Sequence, residues 1–412
     1  MVKVINEKEG NNLLINSFFK RNYFCESDSR NTIFFDKSYF FRSLLVSFFI
    51  FIYSNVTGQI SFGLSTTQEY NSNPFRYRIP EESFISNYEF SLENESESFS
   101  AGYYGDYYNF AQLPDWNFYW HQIAIWKDFE SSTITAYYEQ RFNGENTSYF
   151  DYYNLTAYYA NRFLIGDFNI GVTPNFSLTK YPNIPLLDNW KGTLNLFVNR
   201  SFESGTTFIL GGLLNYKKYL STSTTEIVNY YDEQNVLITD TLTGENISSL
   251  FHITSYLRIA QSLTASTGLA VQYTNRSLIN NDAEKYKSLN LTYGDESEIF
   301  DDPVNYESNG FLVELTQVLF DDMVVKAGYY FSGKTYPSQG IYDKENNYDL
   351  SKDRTDTQHI FNLSLSKEFE VEFLNNAPLS VGMNYQMINN SSNSYWFKYN
   401  NNSFNLSLGF AF

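Results

Sequence analysis

The sequence predicts an all-β fold: a transmembrane antiparallel up-and-down β-barrel of about 16 strands, with 14 as the alternative. Three observations predict it. Stretches of nine to fifteen residues alternate apolar and polar side chains with period 2, as a strand with one oily and one wet face requires. The connections between them alternate short and long. Aromatic residues make up 19% of the chain, yet mean hydropathy is −0.38 and no eighteen consecutive residues are apolar, which argues against membrane helices.

Residues 1–58 read as an N-terminal extension and export signal. The apolar run Leu44 to Tyr53 follows Lys37 and Arg42 and precedes the small and polar residues Ser54 to Gly58. A basic flank, a short apolar core and a cut near Gly58 are the parts of an export signal, and ten apolar residues are too few to span a bilayer. The upstream segment is longer than an ordinary basic region, and Met1 is the only Met before the apolar run. An extended signal and a start codon placed too far upstream both account for it. The only Cys, Cys25, lies in this segment, so residues 59–412 carry neither a disulfide nor a thiolate metal site.

From Gln59 onward a single barrel domain, 59–412, is expected. Its candidate strands lie near 59–68, 84–93, 97–109, 116–128, 132–142, 150–162, 166–179, 190–201, 206–219, 247–261, 264–276, 307–319, 323–334, 357–369, 377–389 and 401–412. The first and sixth carry the weakest pattern. In the seventh, Phe168, Ile170, Val172, Phe176 and Leu178 oppose Asn169, Gly171, Thr173, Asn175 and Ser177. Pro174 falls in its apolar row, and a missing ladder donor there predicts a bulge. Tight connections near 94–96, 129–131, 163–165, 202–205, 262–263 and 320–322 alternate with longer ones, the largest at 220–246, 277–306 and 335–356. In membrane barrels short turns face the periplasm and long loops face outward.

Aromatic residues mark both rims. Phe129, Phe163, Phe202, Phe320, Phe369 and Phe412 sit beside the short turns. Tyr107, Tyr108, Trp116, Phe118, Tyr149, Phe150, Tyr219, Tyr336, Trp396 and Phe397 sit near the long loops. Two aromatic girdles at the membrane interfaces are the expectation.

The polar rows place Glu89, Asp106, Glu139, Arg141, His252, Arg258, Arg276, Glu314 and Lys326 toward the lumen as pore-lining candidates. Opposed acids and bases there would set a transverse field that selects solutes, or would pair and fill the interior. The loop acids Asp295, Glu296, Glu298, Asp301 and Asp302 are weak candidates for a divalent cation, because hard cations take several oxygen ligands; solvated surface charge is the simpler reading. His121, His252 and His359 lie on separate strands without a nucleophile motif, so no enzyme and no cofactor are expected. The net charge of −18 argues against nucleic-acid partners.

The chain ends on the clearest strand. Phe404, Leu406, Leu408, Phe410 and Phe412 share one face; Asn405, Ser407, Gly409 and Ala411 share the other. This ending resembles the C-terminal assembly signal of Gram-negative outer-membrane β-barrel proteins. The resemblance implies an outer-membrane location, lipid and lipopolysaccharide contact, and insertion by the barrel-assembly machinery. Arg354-Thr355-Asp356, the last two hairpins, the Asn-rich stretch 389–394 and the aromatic stretch 395–399 also resemble the barrel part of surface lipoprotein assembly modifier proteins. Those proteins carry helical repeats before the barrel, which this sequence lacks. A plug domain like that of TonB-dependent transporters has no room between Gly58 and the first strand. The expected function is a porin-like passive channel for small hydrophilic solutes. The alternative is a non-conducting barrel acting through its outer loops as a binding, surface-assembly or structural protein.

Overall fold

The computed structural model describes residues 59–220, 224–231, 237–244, 249–279, 306–337, 339–345, 347–349, 351–371 and 377–411. The export segment, the loop acids Asp295 to Asp302 and Phe412 lie outside the described residues.

Sixteen antiparallel strands close into one barrel, each hydrogen-bonded to its sequence neighbours in the wall. They are β1 (Gln59–Asn71), β2 (Ser83–Glu95), β3 (Ser100–Phe110), β4 (Phe118–Asp128), β5 (Ser132–Asn143), β6 (Tyr152–Ile165), β7 (Phe168–Lys180), β8 (Asn189–Ser201), β9 (Thr206–Tyr219), β12 (Leu250–Ser262), β13 (Thr267–Leu278), β14 (Glu307–Val318), β15 (Val324–Tyr336), β18 (Arg354–Val371), β19 (Ala377–Ser392) and β20 (Tyr399–Ala411). Two small hairpins, β10 (Thr224–Tyr231) with β11 (Leu237–Gly244) and β16 (Ile341–Tyr342) with β17 (Tyr348–Asp349), belong to the long connections. Both strands with the weakest sequence pattern, β1 and β6, are in the wall. β1 closes the ring against β20, pairing Leu64 with Phe410 and Tyr70 with Phe404. Closure leaves no free edge, so every strand satisfies its backbone within the wall.

The connections alternate without exception. Those at 96–99, 129–131, 166–167, 202–205, 263–266, 319–323 and 372–376 are short and share the turn end; those between them are longer and share the loop end. Two of the short turns depend on glycine. Gly166 and Gly205 have φ of +58° and +75°, where a side chain is strained.

Two expectations are corrected. No bulge forms at Pro174: the β6–β7 register is the same on either side of it, and Pro174 pairs directly with Leu194 of β8. The sheet tolerates the missing donor without inserting a residue. The loop-end girdle is also different from the one read in the sequence. Tyr108, Phe118 and Tyr219 lie on the inward face, and Phe118, Phe150, Tyr219, Tyr336 and Phe397 are buried in the barrel mouth. Counting aromatics near a rim ignores parity, and a shift of one residue exchanges lipid for lumen. Tyr107 does face outward as expected, stacked on Tyr119 at 4.5 Å, and the other outward rings there are Tyr70, Phe84 and Tyr88. At the turn end, Phe129, Phe163, Phe202, Phe320 and Phe369 are exposed as expected.

Candidate functional site: the barrel interior

Register fixes which face each side chain takes, because directly paired residues share a face. Leu64, Phe84, Phe176, Leu196, Leu210, Leu257, Phe311, Leu363, Met383, Phe404 and Leu408 all fall on one face and remain exposed. On the face that the closed wall turns inward, Ser, Thr, Asn, Gln, Gly and charged residues predominate, with fewer apolar and aromatic side chains among them, such as Phe197, Ile209, Tyr256 and Leu312. A water-soluble protein would place its apolar side chains the other way round. An apolar outer band around a polar interior is what a bilayer demands. This is an outer-membrane β-barrel.

Phe404, Leu406, Leu408 and Phe410 of β20 lie on the outward face, with Asn405, Ser407 and Gly409 inward. The outer face therefore contacts membrane lipid through this strand as through the others.

All nine charged residues singled out in the sequence occupy the inward face, on two opposite walls. Glu89 and Asp106 are register partners on β2 and β3. The Glu89 carboxylate accepts bonds from Ser65 Oγ and from Asn87 Nδ2, the latter at 2.7 Å. Glu139 on β5 accepts from Asn154 Nδ2 at 3.2 Å. Arg141, two residues nearer the loops, is buried with its guanidinium 3.8 Å from the centre of the Phe118 ring, and its Nε donates to Asn143. Across the barrel, Arg258 on β12, whose register partner on β13 is Gln272, reaches past β13 to Glu314 on β14, with Nη2 to Oε1 at 2.8 Å. Arg276 stacks on Tyr306 at 3.8 Å. Lys326 of β15 is exposed to the interior. His252 is buried, and its Nδ1 has no hydrogen-bond partner among the described residues.

Further inward residues share the parity rule yet escape a search limited to the clearest strands. Glu69 and Glu93 join the acids on β1 and β2, where Glu93 accepts from Tyr104 at 3.0 Å. Lys191 of β8 and Lys217 of β9 are direct partners, and Lys334 lies beyond Arg276 through Ser308. The wall β1–β5 thus carries the acids Glu69, Glu89, Glu93, Asp106 and Glu139, with the buried cation Arg141 nearer the loops. The wall β8–β15 carries the cations Lys191, Lys217, Arg258, Arg276, Lys326 and Lys334, with one acid, Glu314, paired to Arg258. In the ring of sixteen, β3 stands opposite β13.

At the loop end three connections fold inward. Phe75 from the first loop packs on Phe110, Ile85 and Phe118. Leu187 and Tyr181 pack on Tyr219 and Leu250. Arg354 is fully buried between the rings of Tyr336 and Phe397, at 4.1 and 3.4 Å, and donates to Asp356 and to Gln339 Oε1. Arg78 over Tyr395 at 3.9 Å ties the first loop to the last. Beyond the mouth, hydrogen bonds from the Ser351 hydroxyl and amide and from Lys352 pull the Asp349 carboxyl down to about 2.

No family model matches the chain, and no curated protein matches it. Among solved structures it is similar to Pseudomonas aeruginosa OccK1 (OpdK), with 8% identity over 86% of this chain and 98% of that one, TM-score 0.49. It is also similar to OprD from the same organism, at 10% identity over 86% and 94%, TM-score 0.46. A loop L8 deletion mutant of OmpT, an outer membrane protein of Vibrio cholerae, matches at 12% identity over 86% and 99%, TM-score 0.43. At these scores the likenesses bear on neither solute nor mechanism.

Proposed function

We propose that the protein is a porin-like passive channel for small hydrophilic solutes. The observation that carries this reading is the Arg258–Glu314 pair: inside the barrel, its side chains are still 25% and 30% exposed. An interior filled by side chains would bury them as the mouth buries Arg354. A ring of sixteen strands is wide enough to leave an aqueous passage, whereas eight-stranded barrels fill. The acidic wall β1–β5 faces the basic wall β8–β15, so a solute in transit crosses a transverse field that favours dipolar solutes of matching orientation.

The second reading, a non-conducting barrel acting through its loops, is favoured by one feature, the burial of Tyr336 and Arg354 in the mouth. A catalytic reading has little to stand on: His121 and His359 lie on the outward face, each hydrogen-bonded to a tyrosine hydroxyl at 2.7 Å. Conductance of the refolded protein in a planar bilayer separates channel from loop-bearing scaffold.

A further inference from the structure

A second feature of the inner wall is used by none of the charges above. One line of paired residues runs from Gly171 of β7 to Phe197 of β8, Gly211 of β9, Tyr256 of β12, Thr274 of β13 and Gly310 of β14. A Cβ built on Gly171 would overlap the Phe197 ring; one on Gly211 would overlap the Tyr256 ring; one on Gly310 would overlap the Tyr330 ring. Each glycine therefore leaves the space into which an aromatic ring of a neighbouring strand lies down. A ring held against the wall in this way is backed by the sheet on one side and open to the lumen on the other. All three rings are only half-buried. Because strands tilt, a line perpendicular to them winds along the barrel axis, here by about 15 Å over five strand spacings.

We propose that these rings form a stacking track for oligosaccharides, a deepening that rests on the channel reading. The C–H face of a pyranose is apolar and slightly positive, and it settles on the negative face of an aromatic ring. Its hydroxyls need donors and acceptors beside that ring. Asn195 and Asn199 flank Phe197 on the same face, and Thr254 and Arg258 flank Tyr256, with Thr274 next along the line. Spaced rings let a saccharide chain pass from one to the next without losing all its contacts at once, which keeps binding weak enough for transit.

The test is single-channel current through the refolded full chain, with glucose oligomers from monomer to hexamer added on one side. The track predicts transient blocks whose dwell time lengthens with chain length. It predicts that Phe197→Ala with Tyr256→Ala shortens the hexamer dwell roughly tenfold, as a gain in off-rate, while open conductance persists. Gly211→Ala, which pushes the Tyr256 ring off the wall, is expected to lower open conductance and shorten the blocks. An open channel with no oligomer blocks, or with blocks indifferent to these variants, overturns the track and leaves the channel reading standing. A folded barrel that passes no current overturns both.

Discussion

The guanidinium carbon of Arg354, at the first position of β18, lies 3.4 Å from the centre of the Phe397 ring in the last loop, and neither side chain is open to water. Its remaining donors go to Asp356 and Gln339, and Asn390 bonds Asp356 and the Phe397 carbonyl. One buried cation thus fixes two loops and two strands at the mouth.

Arg354→Ala is expected to cost about 3–5 kcal/mol locally, because it strands the buried Asp356 carboxylate. The loop 337–353 should become a protease target and channel conductance should rise. Arg354→Met combined with Asp356→Leu removes both charges and should recover most of the protease resistance. Limited proteolysis of the folded variants checks the order.

Leu408 and Ser407 are adjacent, yet one faces lipid and the other the lumen. Leu408→Arg should destabilise the inserted barrel by about 2–4 kcal/mol if placed near the midplane, whereas Ser407→Arg should be tolerated. Urea unfolding followed by heat-modified gel mobility measures both. Equal losses would contradict the assigned faces.

The Arg258–Glu314 pair is about a quarter open to water and lines an aqueous interior, so its contribution to stability is small, about 0–1 kcal/mol. Its field acts on ions nonetheless. Arg258→Glu should shift reversal potentials in a salt gradient toward cations, and Glu314→Gln toward anions, with unfolding midpoints nearly unchanged.

The hairpin Ile341–Asp349 is held by carboxylates whose folded pKa values are depressed. Asp343 accepts from the Asn347 side chain and from the amides of Asn347 and Glu345; Asp349 accepts from Ser351 and sits beside Lys352. A depressed pKa gives order that is complete above the unfolded carboxylate value of about 3.9 and fades as pH falls below it. For Asp349 the loss runs down through about 2. Pepsin should cut this loop markedly faster at pH 2 than at pH 4, and Asp349→Asn should flatten that difference.

Much of this was legible in the sequence, because a strand's side-chain period is two and needs no tertiary information. Glu89, Arg258 and Lys326 read inward, and Leu408 outward, from their neighbours alone. Alternating connection lengths gave the strand count even where β1 and β6 carried weak patterns. What was not legible depends on partners distant in sequence. Phe118 and Tyr336 look like interface aromatics until loop residues such as Phe75 and Phe397 arrive from elsewhere in the chain. Pro174 looks disruptive until the β6–β7 register is seen to be the same on either side of it and the β7–β8 pairing to run straight through it. The Gly211–Tyr256 contact is invisible because nothing local states which strand lies opposite.

In the channel reading, the interior between the two charged walls is an open aqueous passage. Single-channel recording of the refolded protein in a planar bilayer addresses it most directly. An open passage should give stable conductance steps whose ion preference moves with Arg258→Glu. A folded, inserted barrel that stays electrically silent, with Arg354→Ala equally silent, would contradict it and favour a barrel that works through its loops.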